Sequence, residues 1–190
     1  MPITYRTKDG QHADDLAKYK QSLADTDEMR KRLFALFWDF CKRHLACVKR
    51  ASGVSSFSHV CFVPSTRRPD TIHPLQSLLA HKIPLERIDL ALTPEAAPNQ
   101  REFDTALFTL PGGAEVGDRI ENADVLLIDD TWVTGARVQS AAHCLKRRGA
   151  RAVAVVVLAR QIEPTYPDAR SLMERITAAE FDPGTCAVHE

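Results

Sequence analysis

The chain has 190 residues, 44% hydrophobic and 26% charged, which excludes wholesale disorder and is long enough to bury a core without disulfide or metal staples. Twenty-five Lys and Arg against 25 Asp and Glu leave a formal net charge of zero, so there is no overall basic field for gripping a nucleic-acid polymer, although a small anionic ligand is permitted. Five cysteines (Cys41, Cys47, Cys61, Cys144, Cys186) show no disulfide spacing, residues 1–6 lack a signal-peptide core, and no run approaches the roughly 18 apolar residues of a membrane span; the expectation is reduced thiols, a cytoplasmic address and no membrane.

Residues 11–24 are polar apart from a few positions such as Leu16, Tyr19 and Leu23, and read as a short surface helix. Asp25 or Thr26 caps a stronger helix over about 27–50, with Asp27 and Glu28 in its first turn, where the helix dipole favours acids. Leu33, Phe37, Phe40, Cys41, Leu45 and Val48 follow its period. Cys41, His44 and Cys47 stand three apart, but residues six apart drift off one face and a closed zinc site takes four ligands. An ordinary amphipathic helix is therefore expected there.

Residues 52–56 break the helix, and the apolar run 59–63, ended by Pro64, reads as a buried strand. A loop extends to Pro74, then a helix near 74–82. Residues 88–93 alternate like a strand, 94–100 form a loop, and 103–110 alternate again before Pro111, Gly112 and Gly113 turn the chain. Residues 125–128 are a continuous apolar strand, and a helix runs on to about Arg148, with Gly149 at its stop position. Residues 153–158 make another apolar strand, and a last helix comes after Pro164 and Pro167. Apolar strands without alternation, each joined to a helix, predict an α/β fold with a parallel sheet covered on both faces, in one domain.

The site-bearing stretch runs from Val125 to Arg137. A buried strand delivers Asp129 and Asp130 at its carboxyl end, where open α/β sheets bind ligands. A tight Thr134-Gly135-Ala136 turn then opens a helix, and backbone N–H groups at a helix start make an anion cradle. Carboxylates beside an anion cradle repel a bare phosphate but suit a ligand that also offers hydroxyls or a metal ion. A sugar phosphate with vicinal hydroxyls and Mg²⁺ meets both conditions. Capping by Asp129 and Asp130 alone is the plainer alternative, and a receiver domain would carry its paired acids after the first strand. Neither common nucleotide-binding glycine loop is present.

This stretch resembles the phosphoribosyl-pyrophosphate (PRPP) motif of type I phosphoribosyltransferases. The resemblance implies that Asp129 and Asp130 hold the ribose hydroxyls, directly or through Mg²⁺, and that Thr131, Val133, Thr134, Gly135, Ala136 and Arg137 bind PRPP, with 133–137 cradling its 5′-phosphate. Two departures stand out. Arg137 replaces the usual closing Thr or Ser, though its guanidinium fork can also hold phosphate. Val133 stands where purine-salvage members carry an aspartate base, which disfavours a purine acceptor. Residues 60–68, with His73-Pro74-Leu75 beyond, resemble the family's strand and pyrophosphate loop, implying pyrophosphate binding by Ser65, Thr66, Arg67 and Arg68. Residues 94–101 lie where the family has its mobile catalytic loop, with Arg101 reaching the pyrophosphate, and Arg160 lies near the acceptor.

The nearest members in pattern are ComF-like and amidophosphoribosyltransferase-like. Tyr5 falls in a stretch similar to their amino-terminal hood, without the cysteine-rich zinc module often found in ComF proteins. The expected layout is an amino-terminal hood with helices over 1–50, a PRPP-binding core over 58–160, and a carboxyl-terminal helix and tail over 161–190. The implied activity is Mg²⁺-dependent transfer of the phosphoribosyl group to a nitrogen nucleophile, with Asp129, Asp130 and Arg101 catalytic. A PRPP- or nucleotide-sensing regulator on the same fold is the alternative. Expected partners are PRPP and a small acceptor, with a homodimer as the family's common assembly.

Overall fold

A computed structural model of the chain describes residues 1–6, 16, 27–66, 71–94, 102–112, 119–163, 169–178 and 180–188. It is an α/β protein. Strands β1 (Pro2–Arg6), β2 (His59–Phe62), β3 (Glu86–Asp89), β6 (Asp124–Trp132) and β7 (Ala152–Gln161) form a parallel sheet in the order β1-β7-β6-β2-β3. Its helices are α1 (Asp27–Ser52), α2 (Pro74–Leu79, continued by a 3-10 turn Ala80–Lys82), α3 (Ala136–Arg147) and α4 (Ala169–Thr177). Two short strands, β4 (Ala91–Leu92) and β5 (Phe108–Thr109), pair antiparallel as a separate ribbon. Among the described residues no helix is long and apolar enough to cross a membrane.

The chain divides into two compact units, with β6 and β7 contributing residues to each. The first comprises residues 1–46, 130–133 and 157–190. Here β1 runs parallel to the end of β7, with Thr4 opposite Ala159 and Tyr5 opposite Arg160, and the Thr4 hydroxyl donates to the Leu158 carbonyl at 2.8 Å. Leu33, Phe37 and Phe40 form the buried stripe of α1, at the spacing of an amphipathic helix. His44, also buried, donates through Nε2 to the Pro183 carbonyl at 2.8 Å.

The second unit comprises residues 47–129 and 134–156. Val125, Leu126, Leu127 and Ile128 are all buried, because a strand covered on both faces has no solvent side for polar residues. Each fully buried Leu or Ile side chain contributes about 1.5–3 kcal/mol. The β2–β6 register runs His59 to Val125 through Phe62 to Ile128, and the Val63 N–H extends it by donating to the Ile128 carbonyl at 3.0 Å. At the other end of β6, the half-exposed Arg151 guanidinium pairs with the buried Asp124 carboxylate. Gly149, with φ 95, ends α3, in a conformation that costs a side chain little only when there is none.

Several boundaries differ from the sequence reading. The alternating run 88–93 divides: residues 86–89 join β2, whereas Ala91 and Leu92 pair with β5. Of the alternation over 103–110 only Phe108 and Thr109 become strand, because Asp104 closes a turn by accepting the Ala106 N–H at 2.8 Å. Strand β6 runs on through Asp129, Asp130, Thr131 and Trp132, and β7 includes Arg160, which the sequence placed just beyond it. Residues 2–6, assigned to a hood, form a strand. The helix expected over 11–24 lies outside the described residues except for Leu16, which is buried. The capping residues Asp25 and Thr26 also lie outside them.

Candidate functional site

Strands β2 and β6 are parallel and in register, so their carboxyl ends emerge at the same edge of the sheet. That edge carries Ser65 and the buried Thr66 after β2, and Asp129 near the end of β6. Asp129 is 3% exposed and Asp130, the next residue of the strand, 1%. A carboxylate buried this deeply is costly unless something compensates its charge. Among the described residues, His73 comes to Asp129, with candidate ligand atoms of the two within 4.8 Å.

His73 is held by local geometry. It is the N-cap of α2, its Nδ1 accepts the Leu75 N–H at 3.2 Å, and Pro74 occupies a position where no helical N–H is needed. An Nδ1 that accepts leaves the neutral ring's proton on Nε2. His73 thus presents a hydrogen-bond donor, suited to a carboxylate or ligand oxygen rather than to a metal ion. The sequence reading placed His73 beside the pyrophosphate loop but gave it no part in the site. The His-Pro pair at a helix start was its visible signal.

Residues 133–137 lead from the end of β6 into α3. Gly135 adopts φ 82 as the N-cap of α3, in the left-handed region that side chains avoid. The Thr134 hydroxyl accepts the Ala136 N–H at 3.3 Å, and the Gln139 N–H donates to the Gly135 carbonyl at 2.9 Å as the helix begins. The first-turn N–H groups have no intrahelical acceptor, as at any helix start. Gly135 and Ala136 are buried, Arg137 is half-buried, and Thr134 is exposed. Val133 is 47% exposed and Thr131 is buried. Among the described residues no carboxylate pairs with Arg137.

The structure brings Tyr5 and Arg160 together as cross-strand neighbours of β1 and β7. Tyr5 is half-buried and Arg160 exposed. Arg67, Arg68 and Arg101 lie outside the described residues, as does most of the loop expected over 94–101. None of the five cysteines is in a disulfide. Burial pushes Cys41 up to about 12 and raises Cys61 further, in keeping with unreactive reduced side chains.

No family model matches the chain, and no curated protein matches it. Among solved structures it is similar to a hypoxanthine phosphoribosyltransferase of Staphylococcus aureus. In the orthorhombic crystal form the identity is 15% over 72% of this chain and 77% of that one, with a TM-score of 0.40. In the tetragonal form it is 16% over 71% and 75%, again at 0.40. A third likeness, at 13% identity, 73% of each chain and a TM-score of 0.42, is to an asparagine mutant from a study of an invariant aspartic acid in HPRTs. These likenesses are distant, and the site is defined by its own residues.

Proposed function

We propose that this protein is a Mg²⁺-dependent phosphoribosyltransferase, which binds PRPP and transfers its 5-phosphoribosyl group to a nitrogen nucleophile with release of pyrophosphate. The observation that carries this reading is the pairing, along one chain segment, of a deeply buried carboxylate at the end of β6 with a left-handed glycine that opens α3. Few ligands need both. A phosphate suits the helix start, and the hydroxyls of a phosphorylated sugar suit the carboxylates.

In this reading Asp129 and Asp130 accept from the ribose hydroxyls, and Thr134, Gly135, Ala136 and Arg137 cradle the 5′-phosphate. Thr131 and Val133 complete that loop. Ser65, Thr66, Arg67 and Arg68 hold the pyrophosphate, with Arg101 closing over it. Adjacent carboxylates are the hard oxygen donors that Mg²⁺ prefers, so the donor set fits the metal, with Asp129 and Asp130 holding it directly or through water. When bound, Mg²⁺ neutralises charge building on the departing pyrophosphate. The anomeric carbon–oxygen bond breaks as the carbon–nitrogen bond forms, and the protein's share is positioning and charge stabilisation. Tyr5 and Arg160 are the acceptor side of this proposal, and the cytoplasm its setting.

Two measurements test it. Isothermal titration with PRPP and Mg²⁺ should show binding that Asp129→Asn/Asp130→Asn abolishes. A screen of bases, amines and ammonia should then find an acceptor that triggers pyrophosphate release. Binding without release from any acceptor assigns the chain to PRPP sensing, and binding indifferent to both carboxylates removes this site.

A further inference from the structure

Away from the Asp129 edge, the second unit holds a cavity of about 390 Å³ lined by Thr105, Phe108, Thr109, Cys144, Arg147 and Arg148. This volume lies within the range of small-molecule pockets, roughly 300–1,000 Å³. It sits at the carboxyl end of α3, whereas the proposed phosphate loop is at the amino end. Arg147 lies eleven positions beyond Ala136 in one helix, roughly 16 Å along its axis. The two places are separate.

The lining has a definite chemistry. Two guanidinium groups and two threonine hydroxyls supply donors, the buried ring of Phe108 supplies an apolar wall, and among the described residues no carboxylate lines the cavity. Elsewhere in this unit Arg87 pairs with Asp89, Arg119 with Glu86, and Arg151 with Asp124. Among the described residues, neither Arg147 nor Arg148 has such a partner. Their charges are felt inside the cavity: burial raises the Cys144 thiol, and Arg148 and Arg147 pull it back down. Two guanidinium groups with no acid partner among the described residues, beside hydroxyl donors, match the fork geometry of a phosphate.

We infer that this cavity is a second ligand site, for a phosphate monoester with a small apolar or aromatic group, the chemistry of a nucleoside monophosphate. The phosphate lies against Arg147 and Arg148 with Thr105 and Thr109 donating, and the organic part lies against Phe108. The site is independent of the proposed transferase reaction and does not require it.

The test is amide chemical-shift mapping of the full chain with adenosine monophosphate and, in parallel, with inorganic phosphate. Saturable shifts at Thr105, Thr109, Cys144, Arg147 and Arg148 are expected. Arg147→Gln/Arg148→Gln should weaken binding there by at least tenfold and leave the response of residues 134–137 to PRPP unchanged. Both arginines are exposed, and a dispersed amide spectrum confirms that the variant is folded. Shifts confined to 134–137, shifts at the cavity that ignore the double substitution, or no shifts there at millimolar ligand overturn the inference. Equal affinity for inorganic phosphate overturns its organic part. The response of 134–137 to PRPP is read separately, so failure of this site is distinct from failure of the transferase reading.

Discussion

Asp129→Asn separates a carboxylate kept for a ligand from one kept for the fold. The substitution preserves shape and removes one negative charge from a side chain only 3% exposed. A hydrogen bond to a charged group contributes about 1.5–3 kcal/mol, so losing one such contact to a ribose hydroxyl weakens PRPP binding in the presence of Mg²⁺ roughly 10- to 150-fold. Stability should move little or rise, because an amide carries a smaller desolvation cost than a carboxylate in the same buried place. The imidazole of His73, with a ligand atom within 4.8 Å of one on Asp129, opposes that gain, but an asparagine oxygen can still accept from an imidazole N–H. At about 2–4 °C per kcal/mol for a chain of this size, the melting temperature should fall by no more than about 4 °C. Isothermal titration reads the first quantity and thermal unfolding the second. A dissociation constant within threefold of the parent's, together with a melting temperature lowered by about 8 °C or more, twice that limit, refutes the reasoning and makes Asp129 a structural acid.

Named contacts elsewhere set three more expected outcomes. His73→Asn keeps a side-chain acceptor at the start of α2 and should hold stability while lowering affinity for PRPP in the same titration. His73→Ala, which loses the cap as well, should cost about 1 kcal/mol in denaturant titration. Gly149→Ala should destabilise by about 2–3 kcal/mol: φ 95 strains any side chain by about 1–2 kcal/mol, and the new Cβ meets the Glu121 backbone at 3.3 Å. A chemical-denaturation midpoint unchanged from the parent's would remove that account. Glu86 is held below its ordinary value of 4.5 by hydrogen bonding to Arg119, with His59 adding to the effect. A lowered folded-state pKa gives stability that is present above the ordinary value and lost as pH falls through the lower one. Parent and Glu86→Gln melts should therefore differ at pH 6 and converge towards pH 3; an equal gap at both pH values contradicts this assignment.

What could be read in the sequence is what local chemistry decides. The run 125–128 is buried on both faces and contains nothing polar, so β6 was visible, as were the acids in the first turn of α1 and the glycine that ends α3. What long-range pairing decides was not visible. Residues 2–6 carry too little pattern to announce a strand, and become one through β7, more than 150 positions away. The Asp129-Asp130 pair has weak strand propensity, yet β6 runs through it. The β4–β5 ribbon depends on a turn at Asp104 that interrupts an alternating run. The site divides in the same way. Asp129 and the Thr134–Ala136 turn were legible because they are contiguous, whereas His73 reaches Asp129 only through the fold.

The zero net charge takes on meaning at this level. Arg87, Arg119 and Arg151 are balanced by acids beside them, and the first two, which are exposed pairs, contribute only about 0–1 kcal/mol each. They do little for stability, but they remove positive potential from the surfaces they occupy. Among the described residues, Arg137 near the start of α3 and Arg147 and Arg148 at its end have no such partner. Pairing some arginines and sparing others leaves guanidinium groups without an acid partner, among the described residues, near both ends of one helix in a neutral molecule. Ionic strength should then weaken anion binding at each end, because these charges lie within reach of solvent and are screened over about 10 Å at 0.1 M salt. The effect should be smaller at Arg137, which is half-buried, than at the exposed pair.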